Sequence, residues 1–175
     1  MTNRILAQID GSNFYNLVKR TSPQTHLSNF SYINFIKRLI NNNNFDVIYY
    51  VGEVRKVKND NKSEILYANQ QKFFKNLRKQ NVQIKLGYLL KIGEKYHEKG
   101  VDVEIAVDMT KGALKNLHDE FYLFSSDSDL IPAIKTAREE NKKVTYVGFE
   151  NNISEALTRN CNKTILISKN DLNKT

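Results

Sequence analysis

An α/β fold with a mainly parallel central sheet of about five or six strands is predicted by three features of the sequence. Short β-branched and aromatic runs alternate along the chain with helical stretches. The strand-like runs at residues 47–52 and 121–124 show no polar alternation, as expected of strands covered on both faces. Acidic residues, Asp10 and Asp127, stand at the ends of two such runs, at the sheet edge where open α/β folds bind their ligands.

The elements follow in order. Ile5, Leu6, Ala7, Gln8 and Ile9 read as a buried strand, and Asp10-Gly11-Ser12-Asn13 as the turn after it. Phe14, Leu17 and Val18 fall at i, i+3 and i+4 and start a helix that Ser22-Pro23 breaks. Tyr32, Phe35, Ile36, Leu39 and Ile40 form a second helix face, stopped by the asparagines 41–44. A strand at 47–52 leads into a basic, Asn-rich loop at 55–62 and a helix at 63–80 with Leu66, Phe73 and Leu77 on one side. Residues 82–90 read as a third strand, and 91–100 as a charged loop without periodicity. A helix at 101–117 precedes a fourth strand at 120–125, whose own helix, at 130–141, carries Pro132 in its first turn, where a missing N–H costs nothing. A fifth strand at 143–149, a short helix at 153–159 and a last edge strand at Ile165-Leu166-Ile167 complete the pattern. Neither an internal repeat nor a linker interrupts it, so residues 1–175 are expected to form one domain with its core at about 4–168 and right-handed crossovers.

Composition narrows the function classes. Hydrophobic residues make up 40% and charged residues 26%, ordinary for a globular protein. No apolar run approaches the roughly 20 residues of a membrane helix, and no signal peptide is read at the N-terminus. The one cysteine, Cys161, excludes an internal disulfide and a Cys-based zinc site and fits a reducing, cytoplasmic setting. A formal net charge of +8 favours polyanionic partners, nucleic acid before acidic lipid.

The acids carry the chemistry. Ser125-Ser126-Asp127-Ser128-Asp129-Leu130 joins a strand to a helix, and Ser or Asp there can simply cap the helix. Asp10 at the equivalent corner of the first strand shifts the reading toward a site, because strands flanking a switch point bring their carboxyl ends together. At about 100° per residue, Asp102 is expected on an apolar stripe with Ile105, Ala106 and Met109. An unpaired carboxylate there is costly unless it binds something or faces the helix dipole. Glu104 and Asp108 share another side, and Asp108 is expected to support the site or to pair with Lys111 or Lys115. Asp10, Asp102, Asp127 and Asp129 together form an all-oxygen donor set that suits Mg²⁺ or Mn²⁺ and, through it, phosphate chemistry. Asn13 and Ser126 can support carboxylate or phosphate.

Asp10-Gly11-Ser12-Asn13, Lys99-Gly100-Val101-Asp102 with Asp108-Met109, and Ser126-Asp127-Ser128-Asp129 resemble the three motifs of the NYN domain. The NYN domain is a branch of the PIN-like nucleases that includes uncharacterised bacterial proteins. The resemblance implies a Rossmann-like, PIN-type three-layer sandwich, an acidic centre for Mg²⁺ or Mn²⁺, and cleavage of RNA by an endoribonuclease. By position it makes Asp10, Asp102 and Asp127 the catalytic, metal-holding acids, Asp129 a fourth, and Asn13 the supporting amide. Ser126 stands where the family often has glycine.

Cations must offset this negative centre for RNA to approach. Arg55, Lys56, Lys58 and Lys62, and Lys91, Lys95 and Lys99 with Tyr96 and His97, are expected at the carboxyl edge as backbone contacts, with Tyr15 and Tyr96 stacking bases. A non-catalytic RNA- or protein-binding module and a DNA-directed nuclease are the rival readings, and a homodimer is left open. A dehalogenase-type phosphatase is disfavoured, since Ser12 stands where its second Asp should be.

Overall fold

A computed structural model of the chain describes residues 3–92 and 95–173, with side chains of residues 91–96 outside the description. Its sheet has seven strands in the order β4-β3-β2-β1-β5-β6-β7. These are β1 (Ile5–Asp10), β2 (Asp46–Glu53), β3 (Gln83–Ile92), β4 (Lys95–Lys99), β5 (Glu120–Phe124), β6 (Lys143–Phe149) and β7 (Lys163–Ile167). The helices are α1 (Gly11–Thr21), α2 (Tyr32–Ile40), α3 (Asn61–Lys79), α4 (Val101–Leu114), α5 (Ile131–Glu139), α6 (Glu155–Asn160) and α7 (Lys169–Asn173). The sheet is larger than the five or six strands expected, and the extra strand is β4. Residues 95–99, expected within a loop, form this strand: β4 pairs antiparallel with the end of β3, Tyr88 opposite Lys99. A strand at the rim of a sheet need not bury one face, so its residues carry no apolar alternation to read.

All other pairings are parallel. The central strand β1 is buried along its whole length, and it lies between β2 and β5. One apolar cluster, rich in Phe14, Tyr32, Phe35, Phe74 and Leu77, fills the side covered by α1, α2 and α3. A second, with Ile105, Met109, Leu123, Ile134 and Tyr146, fills the side covered by α4, α5 and α6. The order in which strands are added to the sheet therefore reverses between the parallel neighbours β1 and β5, and that is the switch point the sequence reading required.

Helix endings explain much of the asparagine content. Asn41, Asn81, Asn116 and Asn141 all take left-handed backbone conformations just beyond α2, α3, α4 and α5. Asparagine tolerates this region better than other residues with a side chain, so it ends a helix as glycine does. The start of β1 is tied to the start of β5 by Arg4, whose guanidinium donates to both Asp119 carboxylate oxygens at 3.1 and 3.0 Å. Hydrogen bonds from Arg4 hold that carboxyl well below the usual range.

Candidate metal centre

Asp10 ends β1 and is 92% shielded from solvent in a corner where two loops meet. No intervening turn exists: α1 begins at Gly11, and Asp10 is its cap, accepting from the Asn13 backbone N–H at 3.1 Å. This tight departure requires glycine at position 11. A Cβ there would stand 2.6 Å from the Tyr50 carbonyl oxygen and press into the Tyr49 ring. The other Asp10 oxygen accepts from the Ser125 hydroxyl at 2.9 Å. Ser125 in turn accepts from the Asp127 N–H at 3.1 Å. The Asn13 side-chain oxygen accepts from the Ser126 N–H at 3.2 Å. The β1 and β5 corners are thus laced into one unit.

A cavity of about 220 Å³ opens at this junction, lined by Asp10, Glu98, Val101, Asp102 and Asp127. Glu98 was not among the residues expected. It lies on β4, yet its carboxylate reaches back over β2, accepting from the Gly52 N–H at 2.6 Å and the Ser12 hydroxyl at 2.9 Å. Gly52 and Gly87 are register partners, and a Cβ at either would collide with the β4–α4 segment, at 52 with Leu89 and Glu98 and at 87 with Lys99 and Val101. This two-glycine trough lets Glu98 lie across the sheet. The trough was the available signal, since both glycines sit inside runs read as strand.

Asp102 faces the same cavity, but not from an apolar stripe. The buried line on α4 is Val101, Ile105, Met109 and Gly112, one residue earlier in phase than expected, and Asp102 is exposed at the cavity mouth. Asp129 does not line the cavity. It is exposed in a single 3₁₀ turn (Ser128–Leu130) and donates its N–H to Asp127 at 2.9 Å. The capping acid is therefore Asp127, with one oxygen engaged and the other left toward the cavity. Ser125 supplies the hydroxyl support expected of Ser126, whose own hydroxyl accepts only a long 3.5 Å contact from Asn152. Asp108 pairs with neither Lys111 nor Lys115. It accepts from Lys85 at 2.5 Å and from the Tyr50 hydroxyl at 2.8 Å. The Gln8 amide donates to Tyr50 at 2.9 Å and to the Ile105 carbonyl at 3.1 Å. This buried chain fastens α4 to β1, β2 and β3 behind the cavity. Burial pushes the Tyr50 phenol above its ordinary range, so it remains a donor to Asp108.

None of the four cavity carboxylates takes part in an ion pair recorded among the described residues. Burial raises the Asp10 carboxyl to about 6, against the opposing hydrogen bonds from Asn13 and Ser125, and the charges of Glu98 and Asp127 add to the rise. No group of three or more His, Cys, Asp or Glu side chains among the described residues forms a ready-made metal cage. Mg²⁺ asks for less: it keeps several waters and takes one or two carboxylates plus substrate phosphate. An all-oxygen set thus fits Mg²⁺ or Mn²⁺ and not the nitrogen or sulfur coordination that Zn²⁺ prefers. A cation here competes with the Asp10 proton. The shift in melting temperature produced by Mn²⁺ is expected to shrink as pH falls below about 6, because proton competition weakens the apparent affinity about 2-fold at pH 6 and about 10-fold at pH 5. Over the same range Asp10 binds more protons folded than unfolded, so its contribution to metal-free stability rises as pH falls from about 6 toward 4. Paired melts with and without Mn²⁺ check both signs, and a Mn²⁺ shift undiminished at pH 5 would exclude Asp10 as a ligand.

The expected basic groups flank this edge unevenly. Arg55, Lys56 and Lys58 are exposed in the segment after β2, with Arg55 3.2 Å from Glu53 and Lys56 4.9 Å above the Tyr67 ring. Lys62 is exposed in the first turn of α3. Lys99 and His97 are exposed on β4, and Tyr15 on α1. The side chains of Lys91, Lys95 and Tyr96 lie outside the described residues.

The profile of the NYN domain matches residues 4–168, nearly the whole chain. The chain belongs to the NYN family. Its PIN-like fold agrees with a solved structure, the protein of unknown function VPA0982 from Vibrio parahaemolyticus. The two share a TM-score of 0.70 and 22% identity, over 95% of this chain and 93% of that one. An uncharacterized protein of Methanocaldococcus jannaschii, MJ0482, is 42% identical over 57 residues, 33% of this NYN chain and 24% of the archaeal protein. This chain therefore matches about a quarter of that relative's length. No helix among the described residues of the NYN chain is long and apolar enough to cross a membrane.

Proposed function

We propose that this NYN protein is a metal-dependent endoribonuclease, hydrolysing RNA phosphodiester bonds at the cavity of Asp10, Glu98, Asp102 and Asp127. The observation that carries the reading is a buried carboxylate, Asp10, held with three further acids around one cavity and paired with no cation among the described residues. Burial and the neighbouring charges of Glu98 and Asp127 disfavour the ionised form of Asp10, and a bound cation would offset that cost. Asp10 and Asp127 are the direct metal-holding residues, Glu98 and Asp102 complete the negative wall, and Asp129 is demoted to an outer position. Bound Mg²⁺ or Mn²⁺ supplies charge to polarise the scissile phosphate and to lower the pKa of an attacking water. The chain's own residues do the positioning. Ser125 and the Asn13 N–H fix the Asp10 carboxylate, Asn13 locks the β5 corner, and Arg55, Lys56, Lys58 and Lys99 draw the RNA backbone to the edge.

The Asp127→Asn variant tests the reading, because asparagine preserves the capping oxygen that Asp129 needs. Mn²⁺-dependent cleavage of RNA is expected to fall by about 10²-fold with the metal-free melting curve unchanged. Cleavage that survives both this change and chelator would refute it. The alternative reading is a non-catalytic RNA- or protein-binding module. Unchanged melting with Mn²⁺ at pH 7.5 would select that alternative.

A further inference from the structure

Beside the acidic cavity lies a second, larger one of about 660 Å³, between α1 and α3 and over the end of β2. Its volume falls in the range of about 300–1,000 Å³ typical of small-ligand sites. One wall is apolar and partly aromatic: Tyr49, Val51, Leu66 and Phe73. The opposite wall is α1, which contributes Tyr15 and Asn16. Tyr15 is 50% exposed, an aromatic side chain lining the cleft. Among the described residues the Asn16 side chain makes no hydrogen bond, so its amide is available to a ligand.

One hydrogen bond links the walls of the two cavities. Ser12 lines the larger one, and its hydroxyl donates at 2.9 Å to Glu98, which lines the acidic one. A phosphate held at the acids would therefore leave its neighbouring nucleoside at the mouth of the cleft. Val54, on the rim, begins the exposed basic segment of Arg55, Lys56 and Lys58. Flat apolar walls, an unused amide and flanking cations match one occupant, a base attached to a polyanionic backbone. A base still paired and stacked in a duplex cannot enter a cleft between two helices, whereas one turned out of a single strand can.

We infer that the cleft between α1 and α3 holds one unpaired nucleobase next to the scissile phosphate, stacked on Tyr15 and contacted by Asn16. The inference rests on the ribonuclease reading, which it deepens by making single-stranded RNA the substrate class. The test is an abasic scan. A single-stranded oligoribonucleotide is made with one base removed at each position in turn, and cleavage with Mn²⁺ is measured bond by bond. Removing the base beside a cut is expected to lower kcat/KM at that bond about 10-fold, mostly through KM, as loss of one stacked base does. Tyr15→Ala should impose the same loss on the intact strand and make the abasic position silent. A scan that is flat while cleavage proceeds overturns the cleft inference and leaves the ribonuclease reading standing.

If wild-type protein cuts nothing, the ribonuclease reading fails, and the cleft is judged by binding alone. Fluorescence anisotropy of the labelled strand is then expected to show about 10-fold weaker binding for one abasic position in wild type and no such difference in Tyr15→Ala. Equal affinities for intact and abasic strands would give the cleft to another ligand class, such as an apolar peptide, and overturn the inference.

Discussion

Replacing Asp10 by asparagine is expected to make the metal-free protein more stable at pH 7 while removing its metal-dependent activity. Burial raises this carboxyl to about 6, so at neutral pH the fold holds an ionised group in a place that disfavours charge. Asparagine keeps an oxygen for the Asn13 N–H and offers its own N–H to Ser125, so both anchoring contacts persist in neutral form. Relief of the buried charge is worth about 3 kcal/mol, or roughly 9 °C in melting temperature for a domain of this size. Groups that merely support a metal's ligands cost 10–100-fold when removed. A direct ligand should cost more than about 10²-fold in Mn²⁺-dependent cleavage, and Mn²⁺ should no longer raise the melting temperature. A destabilised Asp10→Asn protein would mean that the carboxylate is satisfied within the fold and that the site has no stored charge to give to a cation.

The second large effect falls on Gly11. Helix propensity alone predicts that Gly11→Ala stabilises the protein by up to about 1 kcal/mol. Space predicts the opposite. The added methyl would stand 2.6 Å from the Tyr50 carbonyl, against backbone in the middle of the sheet, where nothing flexible can yield. Overpacking of this kind costs about 3 kcal/mol, which exceeds the propensity term, and the melting temperature is expected to fall by roughly 9 °C. The first turn of α1 must back away from β2, carrying the Asn13 N–H off Asp10 and Ser12 off Glu98, so activity should fall too. Calorimetry decides between the two effects by sign.

Which parts of this were legible in the sequence follows from what each residue's position depends on. Asp10 and Asp127 were placed correctly at neighbouring strand ends, because a strand followed at once by a helix fixes where a carboxyl end lies, and alternation fixes the switch point. Helix α2 was read with its true limits, since its apolar face is complete and Asn41 ends it. Glu98 was missed for a physical reason. A strand at the rim buries no full face, so nothing in Lys95-Tyr96-His97-Glu98-Lys99 alternates by polarity, and only the Gly52–Gly87 trough directs Glu98 inward. Asp102 was placed on the wrong line because Ala106, partly buried, made the apolar stripe of α4 look one residue later than it is. For Asp108 the spacing offers support of the site or a pair with Lys111 or Lys115. Its real partners, Lys85 and Tyr50, are 23 and 58 residues away, and helical spacing cannot reveal them.

The contact between Ser125 and Asp10 also has a consequence in time, since it closes over 115 residues of chain. A ribosome adding about 5–20 residues per second delivers β5 on the order of ten seconds after β1. Until then the first strand has β2 on one side and nothing on the other, and the β1 corner has no Asp127 opposite it. The nascent chain, made beside ribosomal and messenger RNA, would therefore leave its acids dispersed until β5 has followed β1 off the ribosome.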